Sequence, residues 1–250
     1  MGGTFAQATA IGALPVPIIA IASPHPVCLC FSDPDSRNLN RLRLISFRLA
    51  RMRGYDTFWM AEHHFQPDRT ELIPNLLRWR CMCAASPRTS RSACGFNIVA
   101  MWHPLRLAED YAMADILTGG RVIFGVGRGY HTREVETFGA PQIDQNANRE
   151  MFEEGVEVLF KAFEGKPFSH QGKYYTIPPE VPYRGYTLKE ITLVPAPERL
   201  PVECWQPIQS DSERAFDFMA KYGISGVIGR RRRGRPDSRY RQHAIAIIAA

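Results

Sequence analysis

Apolar positions along this chain fall into two alternating kinds of run. Short, nearly continuous apolar stretches occupy residues 55–61 (YDTFWMA), 95–100 (GFNIVA), 121–126 (RVIFGV), 202–208 (VECWQPI) and 224–229 (ISGVIG). Strands buried on both faces read this way. Between them lie longer segments whose apolar residues recur three and four apart. In 103–120, Leu105, Ala108, Ala112 and Ile116, joined by Tyr111, form one stripe; Pro104 suits a first helical turn and Gly119-Gly120 ends it. In 148–165, Phe152, Val156, Leu159, Phe160 and Phe163 form a second stripe, stopped by Gly165. A third helix is expected after residue 208. There Ser210 and Glu213 stand at capping-box spacing, and Ala215, Phe216 and Met219 face inward.

Strand–helix–strand units with short connections predict an α/β fold built on a parallel sheet with right-handed crossovers. Both a doubly wound sheet and a (β/α)8 barrel satisfy this alternation, although five clear strands fall short of the eight a barrel needs. Three stretches break the pattern. Residues 1–50 hold no clear first strand. Residues 78–93 (RWRCMCAASPRTSRSA), where a helix is due, show no amphipathic period. After Gly229 an arginine run replaces the helix that should cover the last strand. Residues 166–200, rich in Pro, Gly and Tyr, read as a hairpin or excursion outside the framework.

Composition narrows the class. With 250 residues, 45% hydrophobic and 22% charged, the chain resembles ordinary soluble globular proteins. No apolar run approaches the ~18 residues of a membrane span. The apolar stretch at 11–22 is broken by Pro15 and Pro17, and no basic residue precedes Arg37, so a secretory signal is not expected. A cytoplasmic protein is the expectation. The formal net charge of +6 arises at one end, where Arg230, Arg231, Arg232, Arg233, Arg235, Arg239 and Arg241 face a single acid, Asp237. Without that run the charges balance, and no nucleic-acid motif accompanies it. The cysteines at 28 and 30 and at 81 and 83 are C-x-C pairs without zinc-finger histidines, so reduced thiols and no metal site are expected.

In parallel α/β folds, ligands bind at the C-terminal ends of strands. Four features fall there: Glu62-His63-His64-Phe65, Asn97 ahead of Met101-Trp102-His103, Gly127-Arg128-Gly129-Tyr130-His131, and Gln209-Ser210-Asp211-Ser212 at a helix start. A helix N-terminus, serine hydroxyls and an arginine suit a phosphorylated cofactor. The glycines flanking Arg128 allow close backbone approach, and His103 before Pro104 is expected to cap its helix. Adjacent strand residues point to opposite faces, so His63 and His64 do not converge with Glu62 on one ion. One ring is expected to face the ligand while the other packs behind it.

The segments GYDTFWMAEHHF, HPLRLAEDYAMADILTGGRVIFGVGRGYHTREVETFG and PVECWQPIQSDSERAFDFMAKYGISGVIG together resemble the bacterial luciferase-like monooxygenase family, over residues 54–75 and 95–229. The resemblance implies a (β/α)8 TIM-type barrel holding reduced FMN, or the deazaflavin F420 in a related branch, at its C-terminal face. It implies a two-component monooxygenase that uses O2 to oxidise a small organic substrate, receives reduced flavin from a separate reductase, and forms a homodimer. It assigns acid–base work to His63, a backbone contact with the flavin ring to Asn97, the flavin phosphate to Arg128 and Gly129, and completion of the phosphate pocket to Gln209 and Ser210. Gly127 stands where light-emitting members carry a cysteine, which implies oxidation without light. The family also expects a first strand, a regular helix before its third strand, and two strands after Gly229. The expected organisation is therefore a single truncated barrel domain over 1–229, with strands seven and eight missing, and a basic non-family tail over 230–250. Such abrupt changes are those of a shifted reading frame. The alternatives are an F420-dependent oxidoreductase of the same superfamily and an inactive, flavin-binding fragment.

Overall fold

The computed structural model describes residues 19–20, 57–65, 73–84, 91–208 and 212–228. In chain order these form β1 (Ile19–Ala20), β2 (Thr57–Met60), α1 (Leu76–Ala84), β3 (Arg91–Cys94), β4 (Asn97–Ile98), a 3-10 turn (Val99–Met101), α2 (Pro104–Thr118), β5 (Val122–Gly127), α3 (Thr132–Val135) and α4 (Gln145–Phe163). There follow β6 (His170–Gln171), β7 (Thr176–Ile177), β8 (Val181–Tyr183), β9 (Tyr186–Leu188), β10 (Cys204–Ile208), α5 (Glu213–Lys221) and β11 (Ser225–Ile228).

The main sheet runs β1-β2-β3-β5-β10-β11, and every neighbouring pair is parallel. Spatial order follows chain order without a reversal. A doubly wound sheet reverses at a switch point, so this is the wall of a barrel-type (β/α) fold. The remaining strand, β4, continues the line of β3 along β5 after a break. Ser92 lies opposite Val122, yet Asn97 lies opposite Val126, so the register slips by one residue. That is a bulge, and it lies beside the strand ends where bulges commonly re-aim side chains. Gly125 makes it possible, because a Cβ there would meet the Cys94 carbonyl oxygen at 1.7 Å.

Several expectations are corrected. The apolar run 95–100 is not one strand; the ladder strand is Arg91–Cys94, and after Asn97–Ile98 the chain coils so that Val99, fully buried, joins the helix-side core. The segment 78–93 does supply its helix, α1. Its apolar pattern is weak because a buried position is held by a charged residue: Arg80 is buried beside Leu76, Leu77 and Trp79, while Arg78 is exposed. A first strand exists as well: Ile19 pairs with Thr57 and Ala20 with Phe58. The boundary at 229, the 230–250 segment and any strands seven and eight lie outside the described residues.

The stripe on α2 is rotated from its expected place. Leu107, Ala108, Tyr111, Ala112, Asp115 and Thr118 are buried, whereas Ile116 is 42% exposed. His103 holds the N-cap position without a side-chain capping bond, and its ring lies against Tyr175. By contrast, α4 buries Phe152, Val156, Leu159 and Phe163 as the periodicity predicts, with Phe160 packed at the edge. It starts at Gln145, not 148, because Asp144 accepts from the amides of Asn146 and Ala147 at 3.0 Å each. Ser212 takes the N-cap position of α5, so the Ser210–Glu213 capping box does not open the helix; Ser210 itself lies outside the described residues. Of the three residues expected inward there, Met219 is buried, and Ala215 and Phe216 are half-buried.

The excursion forms two antiparallel hairpins, β6–β7 and β8–β9, off the main sheet. Glu154 of α4 pins the first. Its carboxylate accepts from the amides of Lys173 (3.0 Å), Tyr174 (3.0 Å) and Tyr175 (2.8 Å), and from His170 Nε2 at 3.2 Å. Among the described residues, no helix is long and apolar enough to cross a membrane.

The face that α2 presents can be tested directly. Leu107→Ala removes a fully buried side chain and should lower the unfolding free energy by about 2–5 kcal/mol. Ile116→Ala, at an exposed position, should change it by less than about 0.5 kcal/mol. Urea unfolding followed by circular dichroism measures both. Equal losses would put the stripe back where periodicity predicts it.

Candidate active site

The C-terminal ends of β2, β3 and β5 lie side by side because the strands are parallel and adjacent. The chain leaving β2 carries Ala61 to Phe65, and the chain leaving β5 carries Arg128 to His131 before α3 begins. Residues 71 positions apart therefore meet. His63 Nδ1 lies 3.2 Å from Glu134 Oε1, with 4% and 0% of the two side chains exposed. His63 Nε2 lies 3.4 Å from the Tyr130 hydroxyl, and the His63 amide donates to the Ile73 carbonyl at 3.1 Å.

The second histidine goes to a different carboxylate. His64 Nε2 lies 3.0 Å from Glu62 Oε1, and its ring packs against Phe65 and Phe138. Glu62, itself 2% exposed, also accepts from the Ile98 amide at 3.0 Å and from Trp102 Nε1 at 2.9 Å. It clamps the end of β2 to the bulged strand. The adjacent histidines thus go to different carboxylates, His63 to Glu134 and His64 to Glu62, and both lie beyond the last residue of β2.

Electrostatics favour a charged Glu134. Burial pushes its carboxyl upward, but the hydrogen bond and charge of His63, the His64 backbone and Arg133 outweigh this and hold it below its ordinary value. Arg133 donates from Nη2 to Glu134 Oε1 at 2.9 Å and from Nε to the His64 carbonyl at 3.2 Å. An ionised carboxylate only accepts, so the bond to Glu134 places the His63 proton on Nδ1. Nε2 is then the atom presented to the Tyr130 hydroxyl.

Arg128 is held on the first turn of α4. Nε donates to Asn148 Oδ1 at 2.8 Å, and Nη2 donates to the carbonyl and the side-chain oxygen of Gln145 at 2.9 and 3.1 Å. Burial and the nearby charge of Arg149 depress its pKa, Glu153 opposes them, and Arg214 adds to the depression. Arg214 meanwhile pairs with Glu153 through two bonds. Nη1 of Arg128 takes part in none of these hydrogen bonds. At Gly129, where φ is 79°, a Cβ would strike the Val135 and Ile98 side chains at 2.7 and 2.8 Å, so a residue without a side chain is required.

Asn97 is buried, and its Nδ2 donates to the Gly125 carbonyl at 2.8 Å, which ties β4 to β5 beyond the bulge. Gln209 and Ser210 lie outside the described residues. Glu134, Tyr130 and His131 are the residues whose roles the sequence reading left unassigned. The signal for them is the spacing His131-x-x-Glu134 immediately after the glycine turn, which sets both on one turn of helix. The ligand atoms of His63, His131 and Glu134 all lie within 4.8 Å of one another. A separate cavity of about 410 Å³, lined by Arg91, Asp115, Arg199 and Glu203 among others, sits at the opposite, N-terminal end of the strands. Barrel active sites do not lie at that end.

Comparison with known proteins bears on the family and the fold. The chain is 34% identical over 131 residues to protein y4vJ of Sinorhizobium fredii, covering 52% of this chain and 36% of that one. It is 26% identical to the oxygenase component of flavin-dependent trigonelline monooxygenase from Acinetobacter baylyi, covering 50% and 34%. It is 27% identical to an F420-dependent glucose-6-phosphate dehydrogenase of Microbacterium testaceum, covering 52% and 39%. The chain thus spans between about a third and a half of the length of the curated relatives it matches. Among solved structures, the oxygenating constituent of 3,6-diketocamphane monooxygenase from Pseudomonas putida, in complex with FMN, shares its fold. The TM-score is 0.64 at 21% identity, covering 85% of this chain and 56% of that one. The model of the luciferase-like monooxygenase family matches residues 42–225, and the chain belongs to that family.

Proposed function

We propose that this chain is the oxygenase part of a two-component monooxygenase that uses reduced FMN from a separate reductase, together with O2, to oxidise a small organic substrate. The observation that carries this reading is the buried His63–Glu134 pair at the mouth of the parallel sheet. Family membership and the named relatives support it.

The residues present fit a planar, phosphorylated cofactor. Arg128, with Arg149 and Arg214 as charged neighbours, keeps Nη1 outside its bonds to Asn148 and Gln145, a charged donor of the kind a phosphate takes. Tyr130, 59% exposed, and Phe65, 53% exposed, offer aromatic surface at the rim. Arg128 and Gly129 would hold the phosphate end with Gln209 and Ser210, and the backbone at Asn97 would lie along the ring. When bound, reduced flavin supplies the two electrons that let dioxygen place one oxygen atom in the substrate and release the other as water.

The chain's own contribution is a positioned proton acceptor. Glu134 keeps the proton on Nδ1 of His63, so Nε2 accepts a proton at the mouth and returns it from the same atom. Tyr130, whose hydroxyl faces Nε2, extends this path toward solvent. Glu134 acts through His63 and is a positioning residue.

Two experiments test the reading. The first measures binding of reduced FMN and of reduced F420 in parallel, then oxygen uptake with a flavin reductase and a panel of ketones, terpenes and long-chain aldehydes. FMN binding with substrate-dependent uptake is expected. His63→Ala should lower turnover by about 10²–10⁴-fold while FMN affinity changes little. Turnover with F420 alone, or a His63→Ala variant of undiminished rate, would sink the proposal.

The second concerns Glu134, whose pKa is depressed in the fold from an ordinary 4.5. A depressed carboxyl contributes stability that is present above the unfolded value and is lost as pH falls through the folded one. Glu134→Gln should therefore be less stable than the parent at pH 7, and the gap in melting temperature should close as pH falls below about 4.5. A gap that stays constant with pH would mean that the carboxylate charge is not what the fold uses.

A further inference from the structure

We propose that His63, His131 and Glu134 form a three-ligand site for a divalent transition-metal ion of the zinc type at the mouth of the barrel. Two imidazoles and one carboxylate, with a fourth position open, are a ligand set that zinc takes in open, reactive sites. His131 and Glu134 stand at i and i+3 around the start of α3, so one turn presents both toward His63. All three ligand atoms lie within 4.8 Å of one another. Tetrahedral coordination at bond lengths of 2.0–2.2 Å places ligand atoms about 3.3 Å apart. His63 Nδ1 and Glu134 Oε1 already stand at 3.2 Å, so closure falls mainly to His131, the half-buried member of the three.

The surroundings both favour and oppose an ion. Glu134 and His63 are buried and already oriented, so little ordering remains to be done there. Against the ion stands Arg133, whose guanidinium donates to the same Glu134 oxygen at 2.9 Å. Coordination has to displace that bond, and the cation next to the site repels a second one. The site is consequently one that Arg133→Gln strengthens, a result that a merely structural histidine–glutamate pair does not produce.

The ion would occupy the place of the proton shared by His63 and Glu134. It would therefore inhibit the flavin reaction, a consequence that rests on the function proposed above; the binding itself does not. The test uses the untagged chain and Co2+ as a spectroscopic substitute for zinc. One equivalent should produce the strong visible absorption of a low-coordinate cobalt ion, displaced by Zn2+. His131→Ala, checked for an unchanged circular dichroism spectrum, should weaken binding by more than about 100-fold, beyond the loss typical of an outer-shell partner. Arg133→Gln should tighten it. Failure of the parent chain to bind, or binding undiminished in His131→Ala, overturns the site. If the site fills with zinc and flavin turnover continues at full rate, the inhibitory role falls while the site stands. If the chain shows no flavin turnover at all, the cobalt spectrum still decides.

Discussion

The hydrogen bond between His63 and Glu134 is the contact on which the rest of the mouth depends. It joins the end of one strand to the helix that follows another two places along the sheet. Burying two ionisable groups together costs several kcal/mol unless their remaining valences are met. Here Arg133 bonds to the same carboxylate oxygen and to the backbone beside His63, while the second oxygen, Glu134 Oε2, is buried without a hydrogen-bond partner among the described residues. A second buried carboxylate, Glu62, does the complementary task. By taking His64, Trp102 and the Ile98 amide together, it holds the β2 end still and leaves its neighbour His63 to Glu134. Two carboxylates thus sort two adjacent histidines, His63 to Glu134 and His64 to Glu62.

That arrangement needs the strand ends at the right height, and the sheet supplies this through two close approaches. At Gly125 the bulged strand passes so near that any side chain would overlap the Cys94 carbonyl. At Gly129 the backbone turns with positive φ against Ile98 and Val135. The extra residue of the bulge shifts Asn97 and Ile98 by one position relative to β5. That shift brings the Ile98 amide to Glu62. Without the bulge, the clamp on the β2 end would lose its backbone donor.

These features differ in how far the chain's pattern announces them. Strands β2, β5 and β10 and helix α4 announce themselves because their burial is one-sided or complete over several residues, which is what periodicity detects. The ladder segment Arg91–Cys94 is invisible by that criterion, since its small residues Ser92, Ala93 and Cys94 are buried by their neighbours and not by their own hydrophobicity. Helix α1 is hidden for a related reason: Arg80 is 1% exposed within it, which inverts the usual meaning of a charge. That His63 and His64 take different partners is legible from side-chain alternation. The identity of Glu134 as the partner is not, because it depends on two crossovers closing with the correct register. Arg128 is legible as a cation beside a glycine turn, whereas its attachment to Asn148 and Gln145 appears only when α4 is seen to begin at Gln145.

Helix α4 then links parts of the molecule that sequence leaves unconnected. At its start, Gln145 and Asn148 grip Arg128. Six residues further along, Glu154 grips the amides of 173–175 and thereby the first hairpin of the excursion. Six residues of helix span only about 9 Å, and the helix is sealed to the core through Phe152, Val156, Leu159 and Phe163. The hairpin and the arginine are therefore mounted on one stiff rod. An element that varies freely in length, as an off-sheet excursion can, is thereby kept in a fixed relation to the charge at the mouth. The insertion can change its outer surface without disturbing Arg128, provided that Glu154 still finds its three amides.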